Sequence, residues 1–221
     1  MKYLGEAKFI LGIKIERIEN CLYLSQEEYL ARVLKRLNMI NYKGTRTPLK
    51  LDIKNSLSKS SCNEENNDSK NFPYREAIGC LMYALLCIRP DLGFPICFLS
   101  QFSNSPSKEH WIALKHVLRY VKETLTFKLK YEKSDEQIIG YSDVDWVGDI
   151  EKHKSTSGFI FLLGKGPISW GSKKQAYVAL STTEEEYVSL SQATREAIWL
   201  RNLMCRPLRR ASLSMLAIKV V

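Results

Sequence analysis

The chain lacks any run of about 18 apolar residues, which excludes a membrane-spanning helix. Its opening, Met1-Lys2-Tyr3-Leu4-Gly5, holds no apolar core, so no secretory leader is expected. None of the six cysteines stands in a C-x-x-C pair, which argues against structural zinc. They read as reduced thiols of an intracellular protein, with cytoplasm and nucleus not distinguished. Histidine is scarce, and His110, His116 and His153 are too scattered for a metal site. Acid also runs out: after Glu196 no Asp or Glu follows.

What is present fits a globular protein. The 221 residues, 45% hydrophobic and 26% charged, suffice for one large domain or two small ones. Basic residues outnumber acidic ones, 33 to 24, for a net charge of +9, which points to a polyanionic partner. From Arg195 onward, however, six basic residues face the single acid Glu196. More than half of the excess therefore sits in a short tail, and such a tail binds any polyanion without specificity.

Hydrophobic periodicity lays out the elements. Phe9, Leu11, Ile13 and Ile15 alternate as one strand, Glu19-Asn20 turns the chain, and Cys21 to Leu24 returns. Ser25 is placed to cap a helix striped by Tyr29, Leu30, Val33, Leu34 and Leu37. Between Lys54 and Lys70 only Leu57 and Cys62 are apolar, so a flexible linker is expected. Tyr74 to Ile88 is helical and stops at Arg89-Pro90. A second helix over Asp91 to Phe102 contains the awkward Gly93 and Pro95. Ser105-Pro106 is placed to start a third, through Trp111, Leu114, Val117, Leu118 and Val121. Strands follow at Phe127 to Tyr131, Gln137 to Asp143, Gly158 to Leu163 and Pro167 to Ser172. Ser181 opens a long helix to about Met204, and Met215 to Val221 is readable as a strand. Trp111 and Trp199 fall in apolar helical patterns and read as core or interface residues.

The chemistry-bearing words are Tyr141-Ser-Asp-Val-Asp-Trp-Val-Gly-Asp149 and Ser181-Thr-Thr-Glu-Glu-Glu-Tyr187. Asp143 shares a strand face with Ile139 and Tyr141. Glu184 has the capping-box spacing from Ser181. Glu185 shares a face with Ser189, Gln192 and Glu196, which reads as solvated. Glu186 shares a face with Leu190, Ala193 and Ala197, which reads as buried. A strand-end Asp and an inward Glu meeting across a sheet–helix layer would suit Mg2+ or Mn2+. Spacing alone is met equally by a surface Asp and a helix-start Glu favoured by the macrodipole. Lys154, Lys173 and Lys174 flank these words and are candidates to touch nucleic-acid phosphates, or are solvated loop lysines.

The words are more specific than the spacing. Leu4-Gly-Glu-Ala-Lys-Phe-Ile-Leu-Gly-Ile-Lys-Ile15, Leu24-Ser-Gln-Glu-Glu-Tyr29, Tyr74-Arg-Glu-Ala-Ile-Gly-Cys-Leu-Met-Tyr83, Arg89-Pro-Asp91 and Lys108-Glu-His-Trp111 resemble the pol polyprotein of copia-type LTR retrotransposons. So do Gly140-Tyr-Ser-Asp-Val-Asp-Trp146, Lys154-Ser-Thr-Ser-Gly158, Ile168-Ser-Trp170 and Ala179-Leu-Ser-Thr-Thr-Glu-Glu-Glu-Tyr187. The resemblance covers about residues 1–204 and keeps the family's order.

The resemblance implies an α/β (α+β) fold in five stretches. Residues 1–50 would be the end of a reverse transcriptase, its hairpin and helix. Residues 51–73 would be the linker, 74–132 a helical connection, and 133–204 the first half of a ribonuclease H-like domain. In the last of these an incomplete, antiparallel sheet would pack on one long helix. Residues 205–221 resemble nothing in the family and look like a frameshifted or misjoined tail.

The resemblance also assigns roles. Asp143 and Glu186 would be ribonuclease H carboxylates holding Mg2+ (or Mn2+), with an RNA–DNA hybrid as substrate. The polymerase aspartates would lie upstream of Met1, and a third carboxylate on the strand after the Glu186 helix. The implied object is a degenerate Pol fragment without catalysis. Alternatives are a non-catalytic nucleic-acid-binding remnant and an unstable translated relic.

Overall fold

The computed structural model describes residues 5–49, 72–133, 137–149, 154–176, 178–179, 181–205 and 216–220. The expected linker falls outside the described residues as far as residue 71. The chain divides into two compact units, Met1–Lys130 and Tyr131–Val221, and the fold class is α+β. No described helix is long and apolar enough to cross a membrane.

The first unit opens with strands β1 (Phe9–Ile10), β2 (Ile13–Ile18) and β3 (Cys21–Ser25), all antiparallel. The expected single strand over Phe9 to Ile15 is in fact a hairpin. Leu11 and Gly12 take φ of 49° and 76°, the left-handed pair that a tight two-residue turn requires. Leu11, assigned by alternation to a strand face, stands at the tip and is 80% exposed. Strand β4 (Leu129–Glu132) completes this sheet in the order β1-β2-β3-β4.

Helix α1 (Glu27–Arg36) buries Leu30, Val33 and Leu34 and turns Arg32, Lys35 and Arg36 to water. Its end is a Schellman motif: Asn38, at φ 54°, donates to the Lys35 carbonyl, and the Met39 N–H reaches back to Leu34. Helix α2 (Tyr74–Cys87) buries Tyr74, Ala77, Ile78, Leu81, Ala84 and Leu85. A short 3-10 turn, Pro90–Leu92, leads into α3 (Gly93–Ser100). Pro95 is no irregularity there: it lies in the first turn, where an N–H has no intrahelical partner to lose.

Helix α4 (Lys108–Glu123) starts two residues later than Ser105-Pro106 suggested. Its cap is Ser107, because the His110 ring closes a capping box: the Ser107 N–H donates to His110 Nδ1 at 2.9 Å. The stripe Trp111, Leu114, Val117, Leu118 and Val121 is buried as expected. Arg89 ties α3's approach to the end of α4. It is 2% exposed, grips Asp91 with Nε and Nη2 at 2.9 and 2.8 Å, and donates to Thr124 O and Oγ1. The Tyr120 hydroxyl adds a 2.9 Å bond to Asp91.

The second unit is a sheet crossed by one helix. Strands β5 (Ile138–Asp149), β6 (Lys154–Leu163) and β7 (Gly166–Lys174) form an antiparallel meander. Gly164 and Lys165, both at positive φ, make the β6–β7 turn. Helix α5 (Thr182–Cys205) returns over the sheet to β8 (Leu216–Val220), which pairs parallel to β5. The order is β7-β6-β5-β8. One expectation changes here: the sheet is mixed rather than purely antiparallel, because the strand read at Met215 to Val221 forms over Leu216–Val220 and pairs parallel to β5. A parallel neighbour needs a long crossover, and α5 provides one. The core of this unit is Ile138, Phe161, Ala193, Ala197 and Leu200, with Phe159, Leu163, Ile168 and Met204 against it. Gly140 is required beside Phe161: a Cβ there would stand 2.3 Å from the ring.

Candidate functional site

Two elements carry the acidic words, β5 and the first turns of α5. Ile138, Gly140 and Ser142 are buried on the strand face under α5, while Ile139 and Tyr141 are half-buried and Asp143 is exposed. Strand alternation therefore puts Asp143 on the face that α5 does not cover. Its carboxylate Oδ1 accepts the Val144 N–H at 2.8 Å. The expected meeting of Asp143 and an inward Glu inside the sheet–helix layer does not occur, because Ser142 fills that layer instead.

The burial of the two glutamates is the reverse of the sequence expectation. Glu185 is 1% exposed and Ser189 is buried beside it, whereas Glu186 is exposed. Ala193 and Ala197 are buried as expected, so the error is confined to the polar end of the helix. Its cause is the sheet beneath, which presents polar groups there: Ser142, Ser155, Ser157 and Gln175 are all buried. A stripe of Glu and Ser reads as solvated only when the facing surface is unknown.

These groups form a connected polar seam. Ser142 Oγ and Ser189 Oγ lie 2.8 Å apart, and Ser189 Oγ donates to the Asp143 carbonyl at 2.8 Å. Gln175 Nε2 donates to Ser157 Oγ at 2.9 Å and to the Glu185 carbonyl at 3.4 Å. Further along, Ser169 Oγ donates to Glu196 at 2.7 Å. Glu185 Oε2 and Gln175 Oε1 are buried without a hydrogen-bond partner among the described residues. The signal in the sequence is the pair of serines at alternate positions of β6, Ser155 and Ser157.

Ser189 touches the Asp143 backbone, and Glu186 precedes it by three residues, about 4.5 Å of helix rise. Glu184 sits where its N–H donates to Ser181 Oγ at 3.2 Å, the capping bond its spacing suggested. Among the described residues no group of three or more His, Cys, Asp or Glu is placed to hold a metal. The strand after α5 runs in register with Ile138 to Ser142 and is Leu-Ala-Ile-Lys-Val, with no acid. Lys219 stands opposite Tyr141 in that register.

The lysines separate. Lys154 Nζ is engaged by the Ala176 carbonyl in a short hydrogen bond. Lys173 is exposed opposite Ser157, and Lys174 is half-buried opposite Thr156. Both lie just past the row Asp143, Gly158, Ser172 that crosses β5, β6 and β7. Asp145 is exposed, the Asp149 side chain is outside the described residues, and so is His153. His110 and His116 are buried in the first unit, and burial lowers the His110 pKa. Trp111 is buried as expected, but Trp199 is 54% exposed and is no core residue.

No family model and no solved structure matches the chain. Over 209 residues, 92% of the chain, it is 46% identical to the retrovirus-related Pol polyprotein from transposon TNT 1-94 of Nicotiana tabacum, of which it spans 16%. It is 34% identical over 200 residues to an uncharacterized mitochondrial protein of Arabidopsis thaliana, covering 80% of that relative. A secreted RxLR effector protein of Plasmopara viticola is 51% identical over 132 residues, 59% of this chain and 93% of that one. The chain belongs to the family of retrovirus-related Pol polyproteins of transposons. Within it the chain corresponds to a stretch of retrotransposon Pol, about a sixth of the tobacco relative's length.

Proposed function

We propose that this stretch joins the end of a reverse transcriptase to a ribonuclease H-like module, and that the module holds an RNA–DNA hybrid without cutting it. The observation that carries the reading is the second unit's topology. Three antiparallel strands, a helical crossover and a parallel fourth strand support a ribonuclease H-like sheet, with Asp143 on its central strand and Glu186 at the crossover's start.

Asp143 and Glu186 are the groups that would hold Mg2+ or Mn2+, which in such enzymes activates water for attack on the phosphodiester. Two carboxylates do not make the ligand set of a metal pair, and the strand in register with β5 adds no third at 216–220. The donors therefore do not fit a two-metal centre, and no hydrolytic step follows. What the residues can do is bind: Lys173 and Lys174 stand at the end of β7, two strands across the sheet from Asp143, and are suited to phosphate oxygens.

Fluorescence anisotropy with a labelled RNA–DNA hybrid tests this. Binding is expected with EDTA as with Mg2+, weakening as salt rises, and weaker again in Lys173→Ala. Absence of binding at low salt would contradict the reading.

A further inference from the structure

Helix α4 buries most of its circumference and turns a narrow arc outward. At about 100° per residue, Lys108, Ile112, Lys115, Arg119 and Lys122 fall within about 80° of one another. Lys108 and Ile112 are exposed, and the other three are half-buried. The Lys115 ammonium lies 5.6 Å from the centre of the Trp111 ring, with its stem along the helix. The two acids of α4 fall outside the arc: Glu123 borders it and Glu109 stands further round. A solvated helix face mixes signs, with acid and base at i, i+4. This one sets Lys115 four residues before Arg119 and Arg119 three before Lys122, spacings at which like charges repel. Lys108 opens the helix, where the macrodipole disfavours a cation. Among the described residues none of these four cations forms an ion pair with Asp or Glu.

A loop adds charge at the C-terminal end of the arc. Arg119 Nε donates to the Lys43 carbonyl at 2.6 Å, and Lys122 Nζ donates to the Tyr42 carbonyl at 2.7 Å. The Thr45 N–H reaches the Arg119 carbonyl at 3.4 Å. These bonds hold the loop on the helix and bring Lys43 and Arg46, both exposed, to the same end. Each side chain spends one donor on the loop and keeps its other protons for a ligand. We propose that the outer face of α4, extended by this loop, docks the phosphate backbone of a nucleic-acid duplex. A polyanion relieves the like-charge repulsion that the free helix carries. Lys108 to Lys122 span about 21 Å in a straight line, over which a duplex presents about six phosphates per strand. A membrane surface would call for an apolar face beside the cations, and the arc holds Ile112 alone. Contacts of this kind fix position without reading sequence. The surface belongs to the first unit and depends on neither Lys173 nor Asp143.

Anisotropy titrations of the full chain with a labelled RNA–DNA hybrid, repeated over a range of salt, test it. Lys108→Gln/Lys115→Gln leaves both carbonyl bonds of the loop in place. It should weaken binding about tenfold at low salt and lower the slope of log affinity against log salt by about two. Its circular dichroism and melting temperature should match wild type, and Lys108→Arg/Lys115→Arg should bind as wild type does. Wild-type affinity and slope in Lys108→Gln/Lys115→Gln overturn the proposal and leave the arc to a different partner. That outcome together with weaker binding by Lys173→Ala leaves the reading of the second unit standing. A loss in the α4 variant beside full binding by Lys173→Ala upholds the surface and removes that reading instead. A wild-type chain that binds no hybrid at low salt overturns the proposal as well.

Discussion

Replacing Glu185 by Gln should stabilise the second unit, whereas the same change at the next residue should do almost nothing. Glu185 is 1% exposed, and its Oε2 has no hydrogen-bond partner among the described residues. Leaving a buried polar atom unmade costs about 1–3 kcal/mol, and more if it is charged. Glutamine keeps the shape, removes the charge and adds an N–H inside a seam that already holds Gln175 Oε1 without a donor. The expected gain is about 2 kcal/mol. For a unit of this size that is an increase in melting temperature of about 10 °C. Glu186 is exposed, so Glu186→Gln should shift stability by less than about 0.5 kcal/mol. Urea melts of the two variants beside wild type, read by Trp fluorescence, measure both. Equal effects at the two positions, or a loss of stability in Glu185→Gln, would refute the assignment of Glu185 to the inner face.

Three further outcomes follow from the packing. Arg89→Met leaves Asp91 and the Thr124 carbonyl without their partner and should cost about 3 kcal/mol, the low end for breaking a buried pair because Asp91 is partly wet; a thermal melt of the first unit reads it. Gly140→Ala drives a methyl into the Phe161 ring and should cost about 1–3 kcal/mol in the second unit, with Phe161→Leu relieving part of the loss. Burial lowers the folded pKa of His110, against a smaller opposing pull from Glu109. Its contribution is therefore complete above about pH 6.5 and is lost as pH falls and the unfolded chain takes up the proton first. His110→Gln keeps a capping acceptor and should flatten that acid-side slope in melts run across the range.

Much of the architecture was legible in the sequence because it rests on local periodicity. The stripes of α1 and α4 declared their buried faces, the apolar run from Tyr74 declared α2, and the turns at Glu19 and Gly164 declared the hairpins they close. What stayed hidden depended on partners distant in the chain. Leu11 looks like a strand residue until Gly12 is seen to share its left-handed turn. Ser107 becomes the cap of α4 only because His110 folds back on it, a role usually read from Glu or Gln. The strand at Leu216 was readable, but its parallel pairing with β5 was not. In the candidate site the orientations of the acids were not legible. Periodicity ranks faces by composition, and the face of α5 that lies on the sheet is the one bearing Glu185 and Ser189. Serines on β5 and β6 made that choice, and no pattern internal to α5 announces it.

Cleavage of an end-labelled RNA–DNA hybrid by the purified chain, first in Mg2+ and then in Mn2+, beside Asp143→Asn, tests the central claim most directly. The account predicts no cleavage above the Asp143→Asn level with either metal, from protein shown by circular dichroism to melt cooperatively. Cleavage that Asp143→Asn abolishes would mean that Asp143 and Glu186 suffice, or that another group completes their ligand set, and would contradict it.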